Sequence, residues 1–109
     1  MNGRDYIIAA FRYYADVESK SAVPKTAAEK KDVEAVEQTF FILRKQNKEH
    51  IVNAVKEIYF PDAGKAAKRE TYGLRVKRVA YDTPTTERTV YRWINKAVEI
   101  CARFRGLRV

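Results

Sequence analysis

Residues 86–104 read TERTVYRWINKAVEICARF, and this segment carries the clearest indication of the chain's fold. At about 100° per residue, apolar side chains gather on one side of a helix and basic and amide side chains on the other. The predicted core side holds Val90, Ile94, Ala97, Cys101 and Phe104, with Trp93 and Val98 at its edges. The opposite side holds Arg88, Arg92, Asn95, Lys96, Glu99 and Arg103. The pattern predicts a long amphipathic helix from Thr86 to Phe104, stopped by Gly106.

Upstream of this helix, the sequence predicts three or four more helices and few strand signals. The predicted segments are a first helix at 4–19, a second beginning at the capping-box sequence Thr26-Ala27-Ala28-Glu29, a third at 48–60 with Asn47 as its cap, a helical turn at 65–71 and a short helix at 72–81. The short helix should pack through Leu74, Val76, Val79 and Ala80. We therefore predict an all-α fold of four to five helices, with an N-terminal helical hairpin followed by a C-terminal helix-turn-helix.

The second helix carries an apolar seam with heptad-like spacing. Its members are Val33, Val36, Phe40 and Leu43. Such a seam suits either a core face or a dimer face, and its short length favours the core. We expect one domain, in which residues 1–46 form an oligomerisation or partner part and residues 47–109 form the helix-turn-helix part.

The distribution of charge points to a polyanionic partner for the C-terminal part of the chain. The net charge is +8. Residues 1–60 hold ten Lys/Arg and nine Asp/Glu, for a net +1, whereas residues 61–109 hold twelve and five, for a net +7. A basic surface kept for solubility is the alternative interpretation.

Other classes of function find little support in the composition. One cysteine, Cys101, and one histidine, His50, provide neither a disulfide nor a zinc-ligand set. We expect no catalytic activity and no cofactor, because no nucleophile or general base has partners at a useful spacing. We also expect a cytoplasmic protein, since neither a signal peptide nor a membrane span is apparent.

The polar face of the last helix has the chemistry of a DNA-recognition helix. Arginine pairs with guanine and asparagine with adenine in the major groove, and threonines at a helix start can donate to phosphate. A short basic helix precedes it across a tight turn, as in a helix-turn-helix. The predicted contacts to double-stranded DNA are Arg75, Arg78, Thr86, Arg88, Thr89, Tyr91, Arg92, Asn95 and Lys96. An ordinary solvated amphipathic helix is the competing interpretation.

The same residues resemble a known family. The string TTERTVYRW at 85–93, ARFRGLR at 102–108, and HIVNAV at 50–55 are similar to the C-terminal segment of the RinA/ArpU-like phage late-gene transcriptional regulators. That segment is itself similar to region 4 of bacterial sigma factors. The resemblance covers about residues 47–109 and implies that Arg88, Thr89, Tyr91 and Arg92 face the DNA groove.

Three functions remain open from the sequence. The first is a sequence-specific transcriptional regulator of phage or prophage type that binds DNA as a homodimer. The second is a DNA-packaging factor, similar to a small terminase subunit, or another assembly factor whose helix-turn-helix marks DNA. The third is an interaction module that contacts RNA polymerase with little DNA affinity of its own.

Overall fold

A computed structural model describes residues 2–61 and 69–109, except for the side chains of 69 and 70. Within these ranges the chain forms helices and no strand, which confirms the predicted all-α class. The helices are α1 (Gly3–Glu18), α2 (Ala27–Lys45), α3 (Glu49–Tyr59), α4 (Arg69–Asp82) and α5 (Glu87–Arg105). The predicted helical turn at 65–71 falls largely outside the described residues.

The start of α2 follows the capping pattern read from the sequence. The Thr26 hydroxyl oxygen accepts a hydrogen bond of 3.1 Å from the backbone N–H of Glu29, and the Thr26 hydroxyl donates to the Glu29 carboxylate at 3.1 Å. One of the unpaired N–H groups of the first turn is thereby satisfied. At the C-terminal end of α5, Gly106 closes the helix in the left-handed conformation, with φ of 67°.

The predicted N-cap role of Asn47 is wrong. Lys48 is the residue that caps α3, and it makes no side-chain capping hydrogen bond. Asn47 instead adopts φ of 59°, a left-handed conformation that asparagine tolerates better than most residues. The backbone N–H of Lys48 then donates to the carbonyl of Leu43 at 2.8 Å. Asn47 therefore turns the chain from α2 into α3.

The last helix lies at the centre of the fold, in contact with the four other helices. Its buried side chains are Val90, Ile94, Ala97, Val98, Ile100, Cys101 and Ala102. A second group of buried aromatic side chains joins α1 to α2, where the Phe40 ring lies 6.4 Å from Phe11 and 5.8 Å from Tyr14. Residues 1–46 and the helix-turn-helix part thus contribute to one continuous core.

The seam of α2 is part of that core. Val36, Phe40 and Leu43 are buried, and Val33 packs against them. The core interpretation of the heptad-like spacing is confirmed. In this fold α1, α3 and α5 pack against α2 and bury the seam, so the seam does not present an apolar face for pairing with a second copy.

Two predicted core residues lie at the surface. Leu74 is 65 % exposed because it sits about 160° around α4 from the buried Val76. Phe104 is 46 % exposed. It belongs to the last turn of α5, where its side chain borders a groove beside α2. Helical periodicity placed Phe104 on the apolar side of α5, but it does not indicate how fully α2 covers the last turn.

A polar cluster fastens the C-terminal end of α5 to the first two helices. The Arg105 guanidinium donates to the Asp32 carboxylate at 2.6 Å and to the Tyr6 oxygen at 3.2 Å, while the Tyr6 hydroxyl donates to Asp32 at 2.9 Å. These bonds raise the pKa of Arg105 above its usual value. The cluster is mostly shielded from solvent, so it ties α1, α2 and α5 together with charge-assisted hydrogen bonds.

Candidate nucleic-acid interface

The helices α4 and α5 are consecutive, in contact, and joined by residues 83–86. The turn is held by backbone hydrogen bonds from Thr83 to the Val79 carbonyl at 3.0 Å and from Thr85 to the Ala80 carbonyl at 2.9 Å. Two helices joined by such a short turn have the connectivity of a helix-turn-helix. The second helix of such a unit is the one that enters the DNA major groove.

One side of α5 remains open to solvent along its length. The exposed residues on this side are Arg88, Arg92, Asn95, Glu99 and Arg103. At about 100° per residue they fall within about 80° of arc, opposite the buried face. We call these five residues the outward stripe of α5. Its N-terminal half is cationic, because Arg88 and Arg92 lie one turn apart and neither forms an ion pair within the described part of the chain.

The first turn of α5 supplies hydroxyl groups beside these arginines. Thr86 is the N-cap: its oxygen accepts from the Thr89 N–H at 3.1 Å, and its hydroxyl donates to the Thr89 side-chain oxygen at 3.0 Å. The Thr86 hydroxyl therefore both donates and accepts within the first turn of the helix. The Thr89 hydroxyl accepts from Thr86, which leaves its own proton to donate to another group such as a phosphate oxygen.

The two predicted contacts on α4 point to different environments. Arg75 donates from Nη1 to the backbone carbonyl of Ile58 at 2.8 Å, and its guanidinium lies 5.8 Å from the centre of the Tyr72 ring. Arg78 is exposed. Arg75 thus uses one of its N–H groups to bond the C-terminal end of α3, whereas Arg78 projects into solvent. Contacts of either residue with DNA stay a prediction.

Asn95 has a partner that the sequence did not reveal. Its side-chain oxygen accepts a hydrogen bond from Nη1 of Arg4, which lies 91 residues away on α1. A guanidinium has only donors, so the Asn95 amide must turn its oxygen towards Arg4. The orientation of the Asn95 amide is therefore set by α1. No local pattern around Asn95 or Arg4 could have identified this contact.

The remaining predicted contacts lie at the two edges of the outward stripe. Tyr91 is exposed on the Asn95 side. Lys96 lies on the opposite edge, where it lines a groove between α5 and α2 together with Ile42 and Gln46. The structure therefore brings Arg88, Arg92 and Asn95 together on one face, with Tyr91 and Lys96 flanking them.

Trp93, at the edge of the predicted core side, packs α5 against α3. Its ring meets the imidazole of His50 edge-on, with 4.8 Å between the ring centroids. The contact places the first turn of α3 beside the second turn of α5. It also leaves Trp93 half-buried, which suits an anchor better than a platform for stacked bases.

Metal binding, membrane insertion and thiol chemistry also concern the described residues, 2–61 and 69–109. These residues include no group of three or more His, Cys, Asp or Glu side chains that could hold a metal ion. None of their helices has the length and apolar character needed to span a bilayer. Burial raises the pKa of the Cys101 thiol to about 11, so the thiol stays protonated at neutral pH.

The chain matches no family model, no curated protein and no solved structure.

Proposed function

We propose that this chain is a sequence-specific DNA-binding protein that regulates transcription, of the phage or prophage type that its C-terminal sequence resembles. The observation that carries the proposal is the pair Arg88 and Arg92, exposed and without ion pairs in the described part of the chain, on the second of two consecutive helices joined by a short turn. In this proposal α5 enters the major groove with its outward stripe facing the bases.

The dimensions and chemistry of the stripe suit this role. The major groove is about 12 Å wide and accepts a helix of about 10–12 Å diameter. Arg88 and Arg92 can each donate two hydrogen bonds to a guanine, and Asn95 offers an amide to a neighbouring base. Thr89 is placed to donate to a phosphate at the start of the helix.

The composition of the stripe weighs against an ordinary solvated face. A solvated helix commonly alternates acidic and basic residues, which pair one turn apart. In α5 the cations Arg88 and Arg92 have no acidic residue one turn away, because the single acidic residue of the stripe, Glu99, lies two turns from Arg92 and one turn from Arg103. The net charge of +7 beyond residue 60 adds attraction for a polyanion.

Selection of bound duplexes from a random library tests the proposal. The wild-type protein should enrich one motif, and Arg92→Ala should lose the preference at one base pair with a roughly 10- to 100-fold weaker affinity for the motif. Lys25→Ala is the matched control, because Lys25 is exposed on the loop between α1 and α2 and carries the same charge. No enrichment by the folded wild-type protein would contradict the proposal.

The assembly state separates regulation from packaging. A homodimer bound to a two-fold site would support a regulator, since pairing doubles the phosphate contacts. A closed ring of many copies on DNA would support a packaging factor instead. Binding to RNA polymerase without any affinity for DNA would favour the interaction module.

A further inference from the structure

A groove between α2 and α5 combines an apolar floor with a basic rim. The groove has a volume of about 440 Å³ and is lined by Ile42, Gln46, Lys96, Ile100, Arg103 and Phe104. Its apolar members come from both helices, and the Phe104 ring stays 46 % exposed there. A half-exposed aromatic side chain beside two isoleucines forms an apolar surface. Burying that surface against a partner would be favourable in free energy.

The rim of the groove carries two cations, with Glu99 one turn from each along α5 and Glu34 in a neighbouring pocket that Arg103 also lines. Lys96 and Arg103 both border the groove, and neither forms an ion pair within the described part of the chain. Gln46 adds an amide on the α2 side. A partner that covers Phe104 therefore meets two cations at the edge of the apolar floor.

We propose that this groove binds an acidic amphipathic segment of another protein. The apolar side chains of that segment would pack on Ile42, Ile100 and Phe104, and its carboxylates would pair with Lys96 and Arg103. The groove shares Arg103 with the outward stripe of α5, but peptide binding is measured without DNA and can hold whether or not the chain binds DNA.

Other occupants fit the groove less well. A second copy of this chain in a two-fold contact would bring the same basic rim against itself, with repulsion between like charges. The C-terminal residues of the chain lead elsewhere, since the Arg108 carbonyl lies against Gly3 at the start of α1. Nucleic acid would neutralise the rim but offers no flexible apolar side chain for Phe104.

Peptide binding measured by fluorescence anisotropy tests the proposal. The probe is a labelled helical peptide with Leu at i, i+3, i+4 and i+7 and Glu at the other positions. The wild-type protein should bind it, and Arg103→Glu and Phe104→Ser should each weaken binding about tenfold. Lys25→Glu should leave the Kd within about twofold, because Lys25 lies on a loop remote from the lining residues.

Two further measurements make the test decisive. The same peptide with Ser in place of Leu should bind at least about tenfold more weakly, since it cannot cover Phe104. Thermal melts of each variant should show that the fold is intact, as expected for exposed positions. The proposal is overturned if the Leu peptide does not bind or if the Ser peptide binds equally well.

Discussion

The guanidinium of Arg75 donates a hydrogen bond of 2.8 Å to the backbone carbonyl of Ile58. That carbonyl belongs to the last turn of α3, where carbonyl groups lack partners within the helix. Arg75→Ala should therefore lower the free energy of unfolding by about 1–3 kcal/mol, measured by urea denaturation. Arg78→Ala, one turn away and exposed, is the control and should change stability by less than about 0.5 kcal/mol. Equal stabilities for the two variants would show that the Arg75 bond contributes nothing to the fold.

The ion pair between Arg105 and Asp32 should couple more strongly than an exposed pair. Its side chains are 17 % and 15 % exposed, and Tyr6 bonds to both. A double-mutant cycle with Arg105→Met and Asp32→Asn should give a coupling free energy of about 1–3 kcal/mol.

The pair formed by Arg44 and Glu49 provides the matched comparison for that cycle. The two side chains lie 2.8 Å apart but are 46 % and 54 % exposed, so solvent screens their attraction. A double-mutant cycle on this pair, with Arg44→Met and Glu49→Gln, should give a coupling free energy of less than about 1 kcal/mol. Similar coupling free energies in the two cycles would contradict the view that the cluster fastens α5 to α1 and α2.

Alkaline pH should destabilise the fold through Cys101. Burial raises the pKa of its thiol from about 9 to about 11, so the unfolded chain releases this proton at lower pH than the folded chain does. The stabilisation is therefore fully present below about pH 9 and is lost as the pH rises through about 11. Two pKa units correspond to about 3 kcal/mol at most.

The measurement is the free energy of unfolding of wild type and Cys101→Ala between pH 8 and pH 11. The pH dependence should be shallower in the variant, although burial also raises the pKa of Tyr59 to about 12 and leaves a residual slope. Thiol reagents should label Cys101 slowly in the folded protein and rapidly in denaturant. Rapid labelling under native conditions would show that the thiol is not buried.

Arg4 should influence which base Asn95 reads, if α5 binds DNA as proposed. Their side chains are hydrogen-bonded, and this bond orients the Asn95 amide. Arg4→Ala and Asn95→Ala should relax the selected motif at the same base pair, and the double variant should be no worse than Asn95→Ala alone. Additive losses at different base pairs would mean that Arg4 contacts DNA on its own.

Local patterns predicted the elements of this fold well. The sequence predicted the capping residue Thr26 and the helix end at Gly106, because each residue acts only on the helix terminus next to it. The buried face of α5 was also mostly correct, because helical periodicity is a local property. Phe104 was misplaced because its exposure depends on how α2 packs beside the last turn of α5, which a local pattern does not contain.

The contacts that define the candidate site were harder to foresee. Arg75 appeared equivalent to Arg78 in the sequence, and only the approach of α3 distinguishes them. The bond between Arg4 and Asn95 joins residues at opposite ends of the chain. Sequence patterns indicate which side of a helix is polar. They do not indicate which of its polar side chains form hydrogen bonds within the fold and which remain free to bind a partner.

The salt dependence of DNA binding tests whether this chain binds duplex DNA through the basic residues of α5. Neutralising phosphates releases counterions, so log K should fall linearly with log salt, with a slope of about −0.9 for each phosphate contact. Arg88→Ala combined with Arg92→Ala should weaken binding at every salt concentration, whereas Lys25→Ala should leave affinity and slope unchanged. We expect a steep linear fall for the wild-type protein on duplex DNA, as the DNA-binding proposal requires. A flat response, or no binding at about 50 mM salt to any duplex, would contradict it.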